Sequence, residues 1–319
     1  MEEELTFEQQ LQKFDDKIKD AEENLGDQEI KDAHFERAQL YDKYEKYEKA
    51  IELYNETYKL TVGFGPKMDV IFKILLIYVK LQDLDQIKIQ IDRCNKLFEE
   101  GGDWERKNRL KVYEGIYFLM IRDFKSTSKL FLQTISTFNS PEIISYNKLV
   151  YYTVLTSLIS LPRSEIKEKI VHSPEVLSAI RDIENLKDFL DSFYKCDYKK
   201  FFQVFASIIS DLPNDLYLAP HRKYFTREMR VVIYSQFLES YKTVELQSMA
   251  NAFGVSVSFI DKELSELIAA KRLNCKIDKV SGIVEGERID ERNRLYKTAI
   301  RDGDFLLNKI QKLSRALDI

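Results

Sequence analysis

The chain of 319 residues carries a net charge of −4, three widely separated cysteines, and few glycines (10) or prolines (6). So little glycine and proline excludes the loop-rich β-sandwich and β-barrel classes, and the slightly acidic balance argues against a general nucleic-acid-binding protein. The cysteines show neither a disulfide nor a zinc spacing, which favours a reducing compartment. The acidic N-terminus lacks the features of a signal peptide, and no apolar run approaches the roughly 20 residues of a membrane span. We therefore expect a soluble intracellular protein without a membrane partner.

Residues 1–26 are predicted to form one charged amphipathic helix that stops at Gly26. Between residues 27 and 220 the pattern changes to helical pairs joined by short polar turns. In four of these turns an aromatic residue or leucine follows a charged residue, and these anchor residues are Tyr47, Leu84, Phe124 and Tyr198. The first three anchors are about 37 and 40 residues apart, a period typical of helical-hairpin solenoids. The longer step to Tyr198 leaves room for one divergent unit around residues 150–185.

The first helical pair resembles a tetratricopeptide unit. Ala38 and Ala50 supply small residues where two helices approach closely, and tyrosines fill the space around them. The later units keep the apolar spacing but lose the small residues, so they are expected to be degenerate. The sequence therefore predicts a tetratricopeptide-like array over residues 27–220.

Residues 221–290 show a different order of elements. After one amphipathic helix, Thr243 is expected to cap a second helix over residues 244–253, which Gly254 ends. Ser256 or Ser258 starts a third helix, and two β-like runs follow at residues 273–277 and 282–285. Three helices followed by a β-ribbon predict a winged helix.

The ribbon offers one candidate interface. An exposed strand edge invites pairing with another chain, and the candidate residues are Cys275, Ile277, Ile283 and Val284. An alternative stays open, in which these side chains only cover the core of the winged helix.

Residues 291–319 are predicted to form one long helix. Its apolar residues follow alternating steps of three and four, the spacing of a coiled-coil seam. Phe305 and Leu307 make the apolar stripe wider than one docking face needs, which predicts a bundle with helices of other subunits. The candidate interface residues are Tyr296, Phe305, Leu306, Leu307, Ile310, Leu313 and Leu317.

Residues with catalytic chemistry are scattered. His34, His172 and His221 lie far apart and form no metal-ligand motif, and no glycine-rich nucleotide loop is present. Cys94 and Cys275 occupy apolar positions that favour packing over nucleophilic chemistry. We therefore predict no catalytic, cofactor or metal site, and a protein that is not an enzyme.

A winged helix can read DNA with its third helix, and the charge of that helix tests this alternative. Here that helix carries Asp261, Glu263 and Glu266 against Lys262, and such a surface repels phosphate. The basic pair 271–272 does not reverse this balance. The charge pattern favours a protein partner over nucleic acid.

Five stretches together resemble one family. They are residues 101–109 (GGDWERKNR), 227–230 (REMR), 238–255, 273–285 and 311–314 (QKLS). In this order they are similar to the 26S proteasome non-ATPase regulatory subunit 6 family, whose members are PCI-domain subunits of the regulatory-particle lid. The resemblance covers residues 30–317.

The resemblance implies a scaffold subunit that supports ubiquitin-dependent protein degradation in cytoplasm and nucleus. The implied partners are other PCI lid subunits, the deubiquitinating lid subunit, and the proteasome ATPase ring and core, in a hetero-oligomer without nucleic acid. A signalosome PCI subunit or a translation-initiation PCI subunit are the alternatives of the same class. A DNA-binding regulator is the alternative from another class.

Overall fold

The computed structural model of the chain describes residues 7–24, 26–101, 103–286 and 291–317. In these ranges the α-helices are α1 (Phe7–Asn24), α2 (Asp27–Lys43), α3 (Tyr47–Leu60), α4 (Phe64–Leu81), α5 (Leu84–Gly101), α6 (Trp104–Met120), α7 (Phe124–Thr134), α8 (Tyr146–Ser160), α9 (Arg163–Ile166), α10 (Pro174–Ala179), α11 (Leu186–Lys195), α12 (Tyr198–Asp211), α13 (Arg222–Glu239), α14 (Leu246–Phe253), α15 (Val257–Ala269) and α16 (Glu291–Leu317). The strands are β1 (Thr243–Glu245), β2 (Cys275–Asp278) and β3 (Ile283–Gly286). The predicted fold class, helical repeats followed by a winged helix and a long C-terminal helix, is confirmed.

The chain divides into two compact units. The first contains the residues up to Leu190 together with Ser210–Arg222, and the second contains Asp191–Ile209 and the residues from Lys223 onward. Among the described residues, no helix is both long enough and apolar enough to cross a membrane. The predicted N-terminal helix corresponds to α1, while residues 1–6 and 25 lie outside the described residues.

All four predicted anchor residues begin a helix, and the turns before them share one geometry. Tyr47, Leu84, Phe124 and Tyr198 are the first residues of α3, α5, α7 and α12. Two residues before each anchor the backbone is left-handed, at Glu45 (φ 58), Gln82 (φ 57), Arg122 (φ 68) and Cys196 (φ 61). The next N–H then donates to the carbonyl five residues earlier, over 2.8–3.2 Å, as in a Schellman motif. This repeated turn sets the hairpins of the array.

Three of these turns also carry an aspartate that caps the following helix. The carboxylates of Asp83, Asp123 and Asp197 accept N–H groups three residues ahead, at 3.1, 3.2 and 3.2 Å. Such a cap satisfies one of the unpaired donors at a helix start. The first turn has Lys46 at the equivalent position and no side-chain cap.

Small residues allow close helix approach in more than one unit. Ala38 and Ala50 are fully buried in a cluster with Tyr54 and neighbouring residues of α2, α3 and α4, as the sequence predicts. The expectation that later units lose such residues is wrong for α6 and α7. A Cβ at Gly115 would lie only 2.3 Å from Cε1 of Phe131, so glycine replaces alanine at this contact.

The second unit contains a winged helix with one strand more than the sequence predicts. Its antiparallel sheet has the order β1-β3-β2, with Val284 opposite both Val244 and Ile277. Thr243 was expected to cap a helix but belongs to β1, and Glu245 precedes α14 without a side-chain cap. Long-range pairing with β3 therefore overrides the local capping preference. The boundaries at Gly254, in the left-handed conformation, and Ser256, which caps α15, agree with the prediction.

Aromatic rings from three helices form the core beside this sheet. Phe253 at the end of α14 is 1% exposed, and its ring centre lies 5.0–5.3 Å from those of four other rings. These four are Tyr198 and Phe202 of α12 and Tyr234 and Phe237 of α13. Edge-on and tilted ring pairs at this separation add to the free energy gained from apolar burial.

Candidate protein interfaces

The C-terminal helix α16 is an exposed amphipathic helix of 27 residues. Every residue from 292 to 317 is exposed, so no part of the described chain buries either of its faces. A helix of this length is about 40 Å long. Its large apolar side chains remain in water, from Ile310 at 53% exposed to Leu317 at 76%.

Helical periodicity divides the predicted α16 residues into two groups. With about 100° between successive residues, six of the seven lie on one side. We name these six the seam: Tyr296, Leu306, Leu307, Ile310, Leu313 and Leu317. Phe305 lies on nearly the opposite side, where Lys309 Nζ is 4.6 Å from its ring centre. The seam residues thus share one side of α16 and Phe305 is separate from them, while the role of all seven as an interface remains a prediction.

The ribbon places its four candidate residues differently. Cys275 and Val284 are 5% and 0% exposed, whereas Ile277 and Ile283 are half-buried. β3 is the central strand, with β1 and β2 on its two sides, so β2 and β1 are the edge strands. The side chains of Cys275 and Val284 thus fit the alternative in which they cover the core. Strand addition at the ribbon remains a prediction, limited to the outer side of β2.

The charges of the third winged-helix helix, α15, are used within the fold. Arg230 Nη1 lies 2.6 Å from Glu263 and Lys279 Nζ lies 3.2 Å from Asp261. Arg272 pairs with Glu228, whose side chain is only 6% exposed. Arg272, one of the basic pair 271–272, therefore already has a buried carboxylate as its partner.

The motif at residues 101–109 acts as a structural clamp in the first unit. Arg106 of α6 holds Asp69 of α4 through two hydrogen bonds, at 3.1 and 2.7 Å. Arg109 pairs with Glu142 and lies 3.6 Å from Asp69, and its guanidinium carbon is 4.6 Å from the Phe72 ring centre. These contacts tie α4, α6 and the loop before α8 together. Part of the family-like sequence is thus explained by packing between repeats.

A buried tyrosine completes this clamp. Tyr113 Oη donates to Glu142 at 2.8 Å, and its ring stacks on Phe72 at 5.2 Å. Burial, assisted by the Glu142 carboxylate, raises the pKa of Tyr113 well above its usual value. The hydroxyl therefore stays protonated and available as a donor.

One apolar surface was missed by the sequence analysis. Phe64 at the start of α4 lies against Gly101, where an added Cβ would be 3.0 Å from Cδ2 of its ring. Trp104 follows at the start of α6 and is 64% exposed, and Val62 is 88% exposed. The signal available in the sequence was the lone tryptophan after a pair of glycines.

The remaining candidates for chemistry have structural surroundings. His221 Nε2 lies 2.8 Å from the Met120 carbonyl oxygen, and Cys94 is fully buried. Within the described ranges, no three histidine, cysteine or acidic side chains lie together as a metal ion requires. The surfaces that stand out are therefore interfaces, α16 above all.

Helical repeats that lead into a winged helix are the architecture of PCI proteins, and the PCI domain model matches residues 206–288. The model of 26S proteasome subunit RPN7 matches residues 2–169. That of the 26S proteasome regulatory subunit RPN7/PSMD6 C-terminal helix matches residues 296–316.

Whole-chain comparisons agree with these matches. The 26S proteasome non-ATPase regulatory subunit 6 homolog of Arabidopsis thaliana is 52% identical over 98% of this chain and 81% of the relative. The 26S proteasome regulatory subunit RPN7 of Saccharomyces cerevisiae is 36% identical over 97% of this chain and 73% of the relative. The chain belongs to the 26S proteasome subunit RPN7 family.

One more distant relative is named as a subunit of a different complex. COP9 signalosome complex subunit 1 of Arabidopsis thaliana is 25% identical over 61% of this chain and 45% of the relative. The similarity to the signalosome subunit is thus weaker and shorter than the similarity to the proteasome subunits.

Proposed function

We propose that the chain is a non-catalytic scaffold subunit of the regulatory-particle lid of the 26S proteasome, and that it supports ubiquitin-dependent protein degradation through assembly. Membership of the RPN7 family supports the assignment of the chain to the proteasome complex. The exposed seam of α16 supports the scaffold role, since large apolar side chains left in water normally mark an interaction surface.

The proposed mechanism is the burial of the seam in a helical bundle. Six large apolar side chains on one side of a helix fit between the side chains of neighbouring helices. Burial of each gains about 1.5–3 kcal/mol, from which the ordering of the chains is subtracted. The proposed neighbours are other PCI lid subunits and the deubiquitinating lid subunit, and through them the ATPase ring and core of the proteasome.

The proposal divides the chain into four parts: an N-terminal helix (1–26), a repeat array (27–220), a winged helix (221–290) and a bundle helix (291–319). The second proposed contact is the outer edge of β2, with Cys275, Ile277, Ile283 and Val284 forming the ribbon that presents it. Gly286 bonds to Lys242 on the β1 side, so the neighbouring Glu285 bonds to β2 and the N–H of Ile277 points away from β3. An Ile277→Pro variant therefore removes a backbone donor from this edge. If the variant folds and still assembles like the wild type, the ribbon only covers its own core.

The catalytic work is assigned to the neighbours. The histidines and cysteines of this chain are dispersed along the sequence, and Arg106 and Arg109 of the 101–109 motif form ion pairs between repeats. We further propose, from membership of the family, that the chain acts in the cytoplasm and nucleus as a structural part of a hetero-oligomer. It binds no cofactor and no nucleic acid.

The test is affinity isolation of the tagged full-length chain from its native cells, followed by mass spectrometry. Recovery of lid subunits together with the ATPase ring and proteolytic core supports the proposal. A complex without ring and core, but with cullin-directed partners, would assign the chain to a signalosome. Recovery with chromatin, or of the chain alone, would overturn the scaffold function.

A further inference from the structure

Helix α16 is basic, although the whole chain is acidic. From Glu291 to Leu317 the sequence holds seven arginines and lysines against three acidic residues, a net charge of +4, whereas the whole chain carries −4. The positive charge is thus concentrated on a helix whose residues 292–317 are all exposed.

Most of these charges gather on the side of α16 opposite the seam. Five of them fall within a sector of about 60° around the helix axis. We name these five the basic face: Arg294, Lys297, Arg301, Lys312 and Arg315. Phe305 and Lys309, with the ammonium 4.6 Å from the ring centre, lie at one border, and Asp304 lies at the other.

The basic face is not balanced within its own helix. Arg294, Lys297 and Arg301 follow one another at steps of three and four, and Lys309, Lys312 and Arg315 at steps of three, so like charges are neighbours on the surface. Neighbouring like charges destabilise a helix. Arg301 contacts Asp302 at 3.5 Å, whereas Lys297, Lys312 and Arg315 have no acidic partner among the residues that the structure describes.

A solvated helix face normally mixes both signs, which also stabilises the free helix. A face on which one sign dominates, here five basic residues against Asp304 at its border, instead fits a surface of the opposite sign. A lipid surface could use the same charges. The match of residues 296–316 to the C-terminal helix of a proteasome regulatory subunit favours a protein neighbour.

We propose that the basic face of α16 docks against an acidic helix of a neighbouring subunit. α16 then lies between two partners, one on the seam and one on the basic face. The inference rests on the proposed function, because it assigns a second side to the same bundle. It also accounts for Phe305, which lies away from the seam beside these charges.

The test is zero-length carbodiimide cross-linking of the complex isolated with the tagged full-length chain. This reagent joins lysine amines to carboxylates only when the two groups touch. We expect mass spectrometry to find links from Lys297, Lys309 or Lys312 to aspartates or glutamates on one helix of another subunit. Links confined to this chain, or no links from these lysines, would overturn the inference.

A charge-reversed variant gives the second readout. Combining Lys297→Glu, Lys312→Glu and Arg315→Glu should reduce recovery of the neighbouring subunits roughly tenfold at low ionic strength, and flatten the salt dependence. The matched control makes three reversals on exposed positions of α3 and α5, at Lys59, Lys88 and Lys96, and should assemble like the wild type. Thermal unfolding verifies that both variants are folded.

A seam variant that combines Leu306→Asp with Ile310→Asp distinguishes the inference about the basic face from the proposed burial of the seam. If the seam variant loses assembly and the charge-reversed variant retains it, the acidic partner is refuted and the bundle stands. If both variants assemble like the wild type, the proposed burial of the seam in a bundle is refuted as well, whereas loss of the lid subunits from the wild-type isolation itself would refute the proposed function. Binding of the wild-type chain to phosphatidylserine vesicles, lost in the charge-reversed variant that still assembles, would assign the basic face to a lipid surface instead.

Discussion

The contact between α6 and α7 at Gly115 allows a substitution whose effect can be worked out from the structure. Gly115→Ala in a free helix would gain about 1 kcal/mol from helix propensity. Here the new Cβ would lie 2.3 Å from Cε1 and 2.7 Å from Cδ1 of Phe131, well inside the usual contact of about 3.5–4.0 Å. Phe131 is fully buried and cannot turn into solvent. Overpacking costs about 1–3 kcal/mol, and this contact belongs at the upper end.

The expected net result is a loss of about 2 kcal/mol of unfolding free energy. For a unit of this size that corresponds to a fall in Tm of roughly 4–8 °C, measured by calorimetry and circular dichroism. Phe131→Leu in the Gly115→Ala background should recover part of the loss in a double-mutant cycle. Gly303→Ala is the matched control, since a Cβ there meets nothing within 4 Å, and it should raise helicity. A Gly115→Ala variant with a raised Tm would refute the close approach of the two helices.

Three further predictions follow from single side chains. Gln82→Gly should stabilise the first unit by about 0.5–1 kcal/mol in chemical denaturation, because Gln82 has a left-handed φ of 57° that glycine adopts freely. The control Lys88→Gly, within α5, should cost about 1 kcal/mol. Phe253→Ala should cost about 3–5 kcal/mol and raise hydrogen exchange in α12–α14 while α2–α7 stay protected; unchanged exchange would contradict the aromatic core. Burial raises the pKa of the Cys94 thiol to about 12. Iodoacetamide at pH 8 should therefore modify half-buried Cys196 before Cys94. Equal labelling of the two cysteines would contradict this. The pKa of Cys94 in the unfolded chain is about 8.5, so the free energy of unfolding should fall as the pH rises from there towards 12.

The repeat boundaries were predictable because they depend on local chemistry. Each anchor residue follows a charged residue in a turn whose backbone bonds close within six residues, so the signal lies in adjacent positions. The seam of α16 was predictable for a similar reason, since helical periodicity alone decides which residues share a side. Both features need no knowledge of distant parts of the chain.

The missed features depend on contacts between distant residues. From the sequence alone, Gly115 only lowers the helix propensity of its segment. The Phe131 ring opposite it shows why glycine is needed. The short strand β1 forms because Val244 pairs with Val284, 40 positions later, and nothing in residues 243–245 indicates this. The same pairing makes β3 the central strand. Val284 is therefore a core residue and does not lie on an exposed strand edge.

The most direct test of the scaffold function is to delete residues 292–319 and compare the tagged variant with the full-length chain by quantitative affinity isolation. Because residues 292–317 are exposed throughout, the rest of the chain should keep its helical spectrum and its Tm. We predict a folded variant that no longer recovers the other lid subunits. A variant that still assembles as completely as the full-length chain would contradict the proposed role of α16 as the helix that joins the bundle.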